Sequence, residues 1–231
     1  MINENVNKIF SSIAKKYDLM NALLTLNIDR IWRKKAISLC EIKDGLKIID
    51  LCCGTGEMVK EIFKSKKENI FVIGLDYNEK MLELAYQKLS NVSNIGQFEL
   101  VQGDASNTKY ESSSFDVVTI AFGLRNIKNC EQALFEMNRI LKKDGKLVCL
   151  ELSKPENAIF SSIYNLYFNH LLPLIGYIGT GDKGAYKYLR NSVNHFKNKQ
   201  ELIQIFKKSG FSNVGCVPLA FGIAAIHYGS K

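Results

Sequence analysis

Ile48-Ile49-Asp50-Leu51-Cys52-Cys53-Gly54-Thr55-Gly56-Glu57 is an apolar, β-rich run that passes into a small-residue loop and then into residues with helical spacing. Gly54 and Gly56 permit a sharp turn and let a ligand approach the backbone, where side chains would block it. Strand, glycine loop and helix in that order form the ligand-binding unit of an open α/β sheet. Asp76 ends the next apolar run, twenty residues past Gly56, which is where a carboxylate meets the hydroxyls of a ribose. Gly103-Asp104-Ala105 follows the third run and adds an acid in the same register. Any one of these carboxylates could be a plain strand-end cap; their recurrence at successive strand ends argues for a nucleoside ligand.

Outward from the loop the chain alternates between two periods. Lys47 to Cys52, Asn69 to Asp76, Gln97 to Asp104, Phe115 to Phe122 and Gly145 to Leu152 are near-continuous apolar runs, as expected where both faces of a parallel sheet are covered. Met58 to Lys66, Glu79 to Leu89 and Cys130 to Leu141 carry apolar residues at three and four spacing, with Asn78 as N-cap of the second. Such alternation implies right-handed crossovers and a doubly wound, Rossmann-like α/β fold. Lys199 to Ser209 reads as a further helix ended by Gly210, and Ser212 to Val217 and Phe221 to Tyr228 as two more strands, making seven in a mostly parallel sheet. Residues 1 to 40 read as a helical lid, with Ile9, Phe10, Ile13, Tyr17 and Met20 on one face. Residues 155 to 198 form an aromatic-rich insertion suited to a substrate wall, and the whole is expected to be one domain over 1–231.

Composition narrows the class. With 231 residues, 46% hydrophobic and 23% charged, the chain is neither disordered, collagenous nor a bare coiled coil. A formal charge of +8 could signal an anionic partner, but the lysines fall in scattered pairs such as Lys15-Lys16, Lys66-Lys67 and Lys207-Lys208. These read as solvated helix ends, and no nucleic-acid partner is expected. Six cysteines without a C-x-x-C pair or zinc spacing read as free thiols, so no disulfide framework and no metal site are expected. No secretory signal and no apolar run of membrane-spanning length is present, since Ile159 to Ile178 is broken by Asn165, Asn169, His170, Pro173 and Gly176. A cytoplasmic location is the expectation.

The glycine loop fits a dinucleotide poorly. A pyrophosphate binder carries a third glycine where Val59 stands, whereas D-x-x-x-G-x-G followed by an acid ending the second strand resembles the S-adenosylmethionine site of class I methyltransferases. That resemblance implies S-adenosyl-L-methionine as cofactor, held by Asp50, Gly54, Thr55, Gly56, Asp76, Asp104 and Ala105. Tyr17-Asp18-Leu19-Met20-Asn21 with Trp32, Phe122-Gly123-Leu124-Arg125-Asn126, and Arg139-Ile140-Leu141-Lys142 through Glu151-Leu152-Ser153-Lys154-Pro155 further resemble signatures of the quinone C-methyltransferases of ubiquinone and menaquinone synthesis. Leu172-Pro173-Leu174-Ile175-Gly176, Tyr186-Lys187-Tyr188-Leu189 and Gly222-Ile223-Ala224-Ala225-Ile226-His227 extend the likeness through the carboxyl third. The pattern departs at Thr25 and Asp29, where Ser and His are usual, at Lys143-Asp144 in place of Pro-Gly, and at Arg190 and Lys197 in place of prolines.

The acceptor implied is the reduced ring of demethylmenaquinone, whose carbon becomes nucleophilic when a ring hydroxyl loses its proton. Arg125, just past the fourth strand, is the candidate to stabilise the developing phenolate, with an ion pair to a surface acid as its structural reading. Asn126 is the candidate to hydrogen-bond a ring oxygen, and Tyr17 to contact the cofactor or relay the proton. Among His170, His195 and His227, only His195 is a candidate base. The aromatic insertion suits a prenylated quinol, and peripheral contact with a membrane surface and a homodimer are both compatible with it. Two other readings stay open: a different small acceptor, suggested by Asp29 and Lys197, and a noncatalytic binding module, which the intact glycine loop and Arg125-Asn126 disfavour.

Overall fold

A computed structural model of the chain describes residues 4–92, 96–155, 160 and 183–231. Three helices open it: α1 (Glu4–Ile13), α2 (Tyr17–Thr25) after one 3-10 turn (Ala14–Lys16), and α3 (Ile28–Leu39). The alternating core follows with β1 (Lys47–Leu51), α4 (Glu57–Phe63), β2 (Phe71–Asp76), α5 (Glu79–Ser90), β3 (Gln97–Gln102), β4 (Phe115–Ala121), α6 (Cys130–Ile140) and β5 (Leu141–Leu152). After residues 156–182, α7 (Lys183–His195), α8 (Lys199–Lys208), β6 (Ser212–Leu219) and β7 (Ala224–Ser230) complete the described chain. One sheet of seven strands in the order β3-β2-β1-β4-β5-β7-β6 holds them together, with β7 antiparallel to both neighbours.

The near-continuous apolar strands are apolar because both sheet faces are covered. Along β1 the side chains alternate: Ile49 and Leu51 join Val118, Ile120, Leu134 and Phe206 on one face, while Ile48 joins Trp32, Ala36, Val59 and Ile62 on the other. Each such aliphatic side chain contributes about 1.5–3 kcal/mol by leaving water. Asn78 caps α5 by accepting from the Met81 amide at 3.0 Å, and Asn198 and Glu201 form a capping box on α8. β1 lies between β2 and β4, so the loops leaving β1 and β4 diverge and open a crevice at the carboxyl ends of the strands.

Of the boundaries that differ from expectation, two have a clear physical cause. β5 starts at Leu141, not Gly145: Leu141 pairs with Phe115, the register then shifts, and Lys146 pairs with Val117. Asp144 takes a left-handed φ of 63° within that irregularity, and Lys142 Nζ grips both Asp116 oxygens at 2.9 Å, so the extra residues are absorbed without ending the strand. β7 starts at Ala224, not Phe221, because Ala220–Gly222 form a 3-10 turn with Phe221 at φ 56°. Most of the aromatic insertion, His170 included, lies outside the described residues.

Candidate active site

The loop after β1 is built on left-handed backbone: Cys52 and Gly54 both at φ 54°, Gly56 at φ 80°. Cys52 is not a glycine, and Phe122, at the end of β4, is likewise left-handed at φ 58°. Such residues cost about 1–3 kcal/mol each and persist where the surroundings fix them. The loops that carry them touch, since a Cβ on Gly123 would stand 2.5 Å from the Cys52 Cβ. Gly123 is therefore required by the closeness of the two loops. A Cβ on Gly54 would meet open space, so the backbone there is bare toward the crevice.

A cavity lies over this loop. Its floor is Cys52, Gly54, Asp76 to Asn78 and Ala121 to Gly123, and its roof is Val6, Asn7, Phe10 and Tyr17 from the N-terminal helices. Asp76 Oδ2 accepts from the Gly54 amide and Oδ1 from the Asn78 amide, both at 2.8 Å. Burial pushes the Asp76 carboxyl above its ordinary range, opposed by these amide donors and that of Tyr77. With three amide donors, the Asp76 carboxylate keeps one lone pair for a further donor.

The other cofactor candidates do not line this cavity. Asp50 is 1% exposed, with Oδ1 accepting from the Thr119 hydroxyl at 2.7 Å. Burial lifts its carboxyl to about 7 against the pull of Thr119 and Arg33. Thr55 and Gly56 are buried, the Thr55 hydroxyl donating to Asp18 Oδ1 at 2.6 Å. A Cβ on Gly56 would crowd Leu89 at 3.1 Å, so this glycine admits the packing of α5. Asp104 accepts from the Ser106 amide at 2.8 Å and hydroxyl at 2.7 Å; burial raises its carboxyl, and these bonds help to bring it below its ordinary range. Ala105 is buried beside it in the core.

A second, larger cavity opens beyond β4. Arg125 to Lys128 and Cys130 form one side, and Tyr188, Ser192, His195, Phe196 and Lys197 the other. Asn126 and Val6 line both cavities and mark where they meet. Arg125 is not paired with a surface acid. Its Nη1 donates to Glu151 Oε1 at 2.6 Å and to the Phe122 carbonyl at 2.5 Å, with side chains only 5% and 2% exposed. Its buried Nε–H has no hydrogen-bond partner among the described residues. Tyr188 donates its hydroxyl to Asn126 Oδ1 at 2.8 Å, and the Asn126 amide donates to the Phe122 carbonyl at 3.3 Å. Tyr17 packs edge-on against Phe10 at 5.9 Å between centroids, and Phe10 against Tyr188 at 6.4 Å.

Of the histidines, His195 lines the second cavity with Nδ1 2.8 Å from the Asn191 carbonyl. His227 is buried on β7 and donates Nε2–H to the Lys199 carbonyl at 3.1 Å, and burial pushes its pKa down to about 4. Asp29, the departure of concern, lines neither cavity; it accepts from the Thr25 hydroxyl at 2.8 Å and lies 3.6 Å from Arg33 Nε. Lys197 does line the second cavity. Sequence reasoning passed over Glu151, although a lone acid ending an apolar strand is the same signal that marked Asp76. It also gave Asn78 no role at the site beyond capping a helix, and Tyr188 a place only within the aromatic wall.

The sequence profile of the ubiE/COQ5 methyltransferase family matches residues 1–231. The chain belongs to this family. The demethylmenaquinone methyltransferase of Staphylococcus aureus (strain JH9) is 39% identical to it over 228 residues, 99% of this chain and 93% of that protein. Among solved structures, a methyltransferase dependent on S-adenosylmethionine from Aquifex aeolicus superposes with TM-score 0.63 at 17% identity, over 86% of this chain and 88% of its own. Another from Thermotoga maritima, described as a possible histamine N-methyltransferase, gives TM-score 0.68 at 19% identity over 97% and 99%. These distant structures share the Rossmann-like fold. As a ubiE/COQ5-family methyltransferase, the chain uses S-adenosyl-L-methionine as its methyl donor. The residues around the first cavity suit it: the lone pair left on Asp76 would serve a ribose hydroxyl, and bare backbone at Gly54 leaves an approach above the loop.

Proposed function

We propose that the chain methylates a ring carbon of demethylmenaquinol, giving menaquinol in menaquinone biosynthesis. The observation that carries this reading is the junction of two cavities at Asn126 and Val6, one over the glycine loop and one roomy enough for a quinol head and the start of its tail. S-adenosyl-L-methionine supplies, when bound, an electrophilic methyl group. The protein's part is to hold the acceptor carbon in line and to make it electron-rich. Asp76 would hold the ribose and Gly54 the backbone approach, with Asp50, Thr55, Gly56, Asp104 and Ala105 supporting from behind.

On the acceptor side, Glu151 neutralises Arg125 and fixes its guanidinium, so Arg125 works as an oriented donor rather than as a free cation. Its unpaired Nε–H is the group that would receive the ring oxygen as that oxygen loses its proton. Asn126, clamped by Tyr188, would hold the same oxygen or its neighbour, and Tyr17 would close the roof over both reactants. We read residues 1–40 as a lid and 155–198 as the substrate wall of one methyltransferase unit, working peripherally at a membrane because its acceptor carries a prenyl tail. No helix among the described residues is long and apolar enough to cross one. A different acceptor is the second reading, favoured by Lys197 on the wall of the larger cavity.

The test is mass spectrometry of products after incubation with methyl-labelled S-adenosyl-L-methionine and a panel of reduced quinones. A labelled methyl on the demethylated naphthoquinol ring is the expected product. Label on another acceptor alone would move the chain to the second reading.

A further inference from the structure

Five of the eight large apolar side chains exposed among the described residues fall between Leu19 and Ile31, on α2 and the start of α3. The helices explain how. Along α2, Met20 and Leu24 turn inward to the cluster holding Val193 and Leu189, while Leu19, Leu23 and Leu26 repeat at four and three and stand at the surface. Leu19 is 69%, Leu26 77% and Ile31 67% exposed. Leu26 is also left-handed at φ 51°, as is Asn27 at φ 61°. That conformation suits asparagine or glycine, so a leucine is displayed at the tip of the turn against local preference.

The charge around this stripe has one sign. Lys15 and Lys16 lie one turn before Leu19, Arg30 and Lys34 flank Ile31, Lys35 follows it by one turn, and all five are exposed. The two acids of the stretch are engaged elsewhere, Asp18 by Lys88 and Thr55, and Asp29 by Arg33 and Thr25. A helix with apolar anchors and a predominantly basic rim matches an anionic lipid surface, where apolar side chains enter the acyl boundary and lysines meet headgroups. A second copy of the chain would bring the same cations against each other, which disfavours self-association through this face.

We infer that the α2–α3 face docks the protein on an anionic lipid surface, with Leu19, Leu23 and Leu26 as apolar anchors and the neighbouring lysines as headgroup contacts. The inference rests on the proposed prenylated acceptor, which would reside in that bilayer. The same helices roof the cofactor cavity through Tyr17, and Asp18 touches the glycine loop through Thr55. Docking would thus hold the lid, and the cavity junction beneath it, at the membrane side.

Flotation with vesicles tests it. The native protein is expected to float with vesicles of roughly half phosphatidylglycerol and half phosphatidylcholine, to stay behind with pure phosphatidylcholine, and to be released by high salt. Leu19→Gln/Leu23→Gln/Leu26→Asn, which changes exposed side chains only, should lower partitioning at least tenfold. Lys15→Gln/Lys16→Gln/Lys34→Gln/Lys35→Gln should do likewise, and circular dichroism melting checks that both remain folded. Turnover of a short-tailed, water-soluble quinol should stay near normal in both, which separates docking from chemistry. Native protein that does not float, or leucine and lysine variants that float as well as it does, would overturn the inference. So would a dimer in lipid-free sedimentation that the leucine substitutions dissociate. Failure of quinol methylation with vesicle binding intact would count against the acceptor, not against the surface.

Discussion

Arg125 and Glu151 are buried together, so substituting one disturbs both folding and chemistry, and the two must be measured apart. Arg125→Ala leaves the Glu151 carboxylate without its 2.6 Å partner in a site where neither side chain exceeds 5% exposure. Breaking such a pair costs on the order of 3–5 kcal/mol, whereas removing both charges is far milder. The expected result is a large loss in urea-unfolding stability for Arg125→Ala, most of it restored in Arg125→Gln/Glu151→Gln. Single-turnover methylation should remain about a hundredfold or more below normal in both variants, because the oriented donor is gone either way. Normal turnover in the double variant would return Arg125 to a structural role. Asp76 separates more cleanly. Asp76→Ala is expected to weaken cofactor binding by about 1.5–3 kcal/mol, since the lost contacts are charge-assisted. Calorimetric titration reads this directly, and unchanged affinity in a folded protein would detach Asp76 from the cofactor.

The helices that roof the site are held by side chains that reach across the chain. Asp18 on α2 accepts from Thr55 at 2.6 Å and from Lys88 on α5, and Lys88 also donates to Glu57 at 2.8 Å. Asn78, while capping α5, donates to Asn7 Oδ1 at 2.5 Å and Ser11 at 2.7 Å on α1. The Lys88 pairs are partly solvated, so each is worth at most about 1 kcal/mol. That is little for the fold but enough to set how often the lid opens. Lys88→Met should therefore speed cofactor release several-fold in stopped-flow dissociation with little change in Tm, and high salt should narrow the difference from the native protein. An unchanged rate would leave the lid held by Asn78 and apolar packing alone. These contacts also mark what sequence could and could not give. The strands, Asn78 as cap and the inward face of α1–α2 were readable because periodicity reports which side of an element leaves water. Lys88 carries no such mark: its partners are distant in sequence, and an exposed-looking lysine in a helix reads the same whether or not a lid lands on it. The bulge before Gly145 was hidden for a related reason, since only the neighbouring strand shows that Leu141 is paired.

At the scale of the whole molecule, two buried groups on different strands make stability depend on pH in opposite senses. Asp50 on β1 has its carboxyl raised from 3.8 to about 7, so the fold binds a proton that the unfolded chain has released. Its contribution is complete below about pH 4 and is lost as pH rises through 7. His227 on β7 is lowered from 6.5 to about 4, so the unfolded chain binds a proton that the fold refuses. Its contribution is complete above 6.5 and is lost as pH falls toward 4. At about 1.4 kcal/mol per pKa unit, the two amount to roughly 4 and 3 kcal/mol at most, and between pH 4 and 6.5 they largely cancel. Sequence placed Asp50 at the cofactor and left His227 without a partner. Their burial, one beneath the crevice and the other beside α8, gives both this second role. Asp50→Asn keeps an acceptor for Thr119 and removes the first contribution, so its stability relative to the native protein should rise steadily from pH 4 to 7.5. His227→Gln keeps a donor for the Lys199 carbonyl and removes the second, so its relative stability should rise in the other direction, from pH 6.5 down to 4. Urea unfolding of the three proteins across that range measures both slopes. Parallel curves for native protein and either variant would mean that the substituted group titrates alike in the folded and unfolded chains.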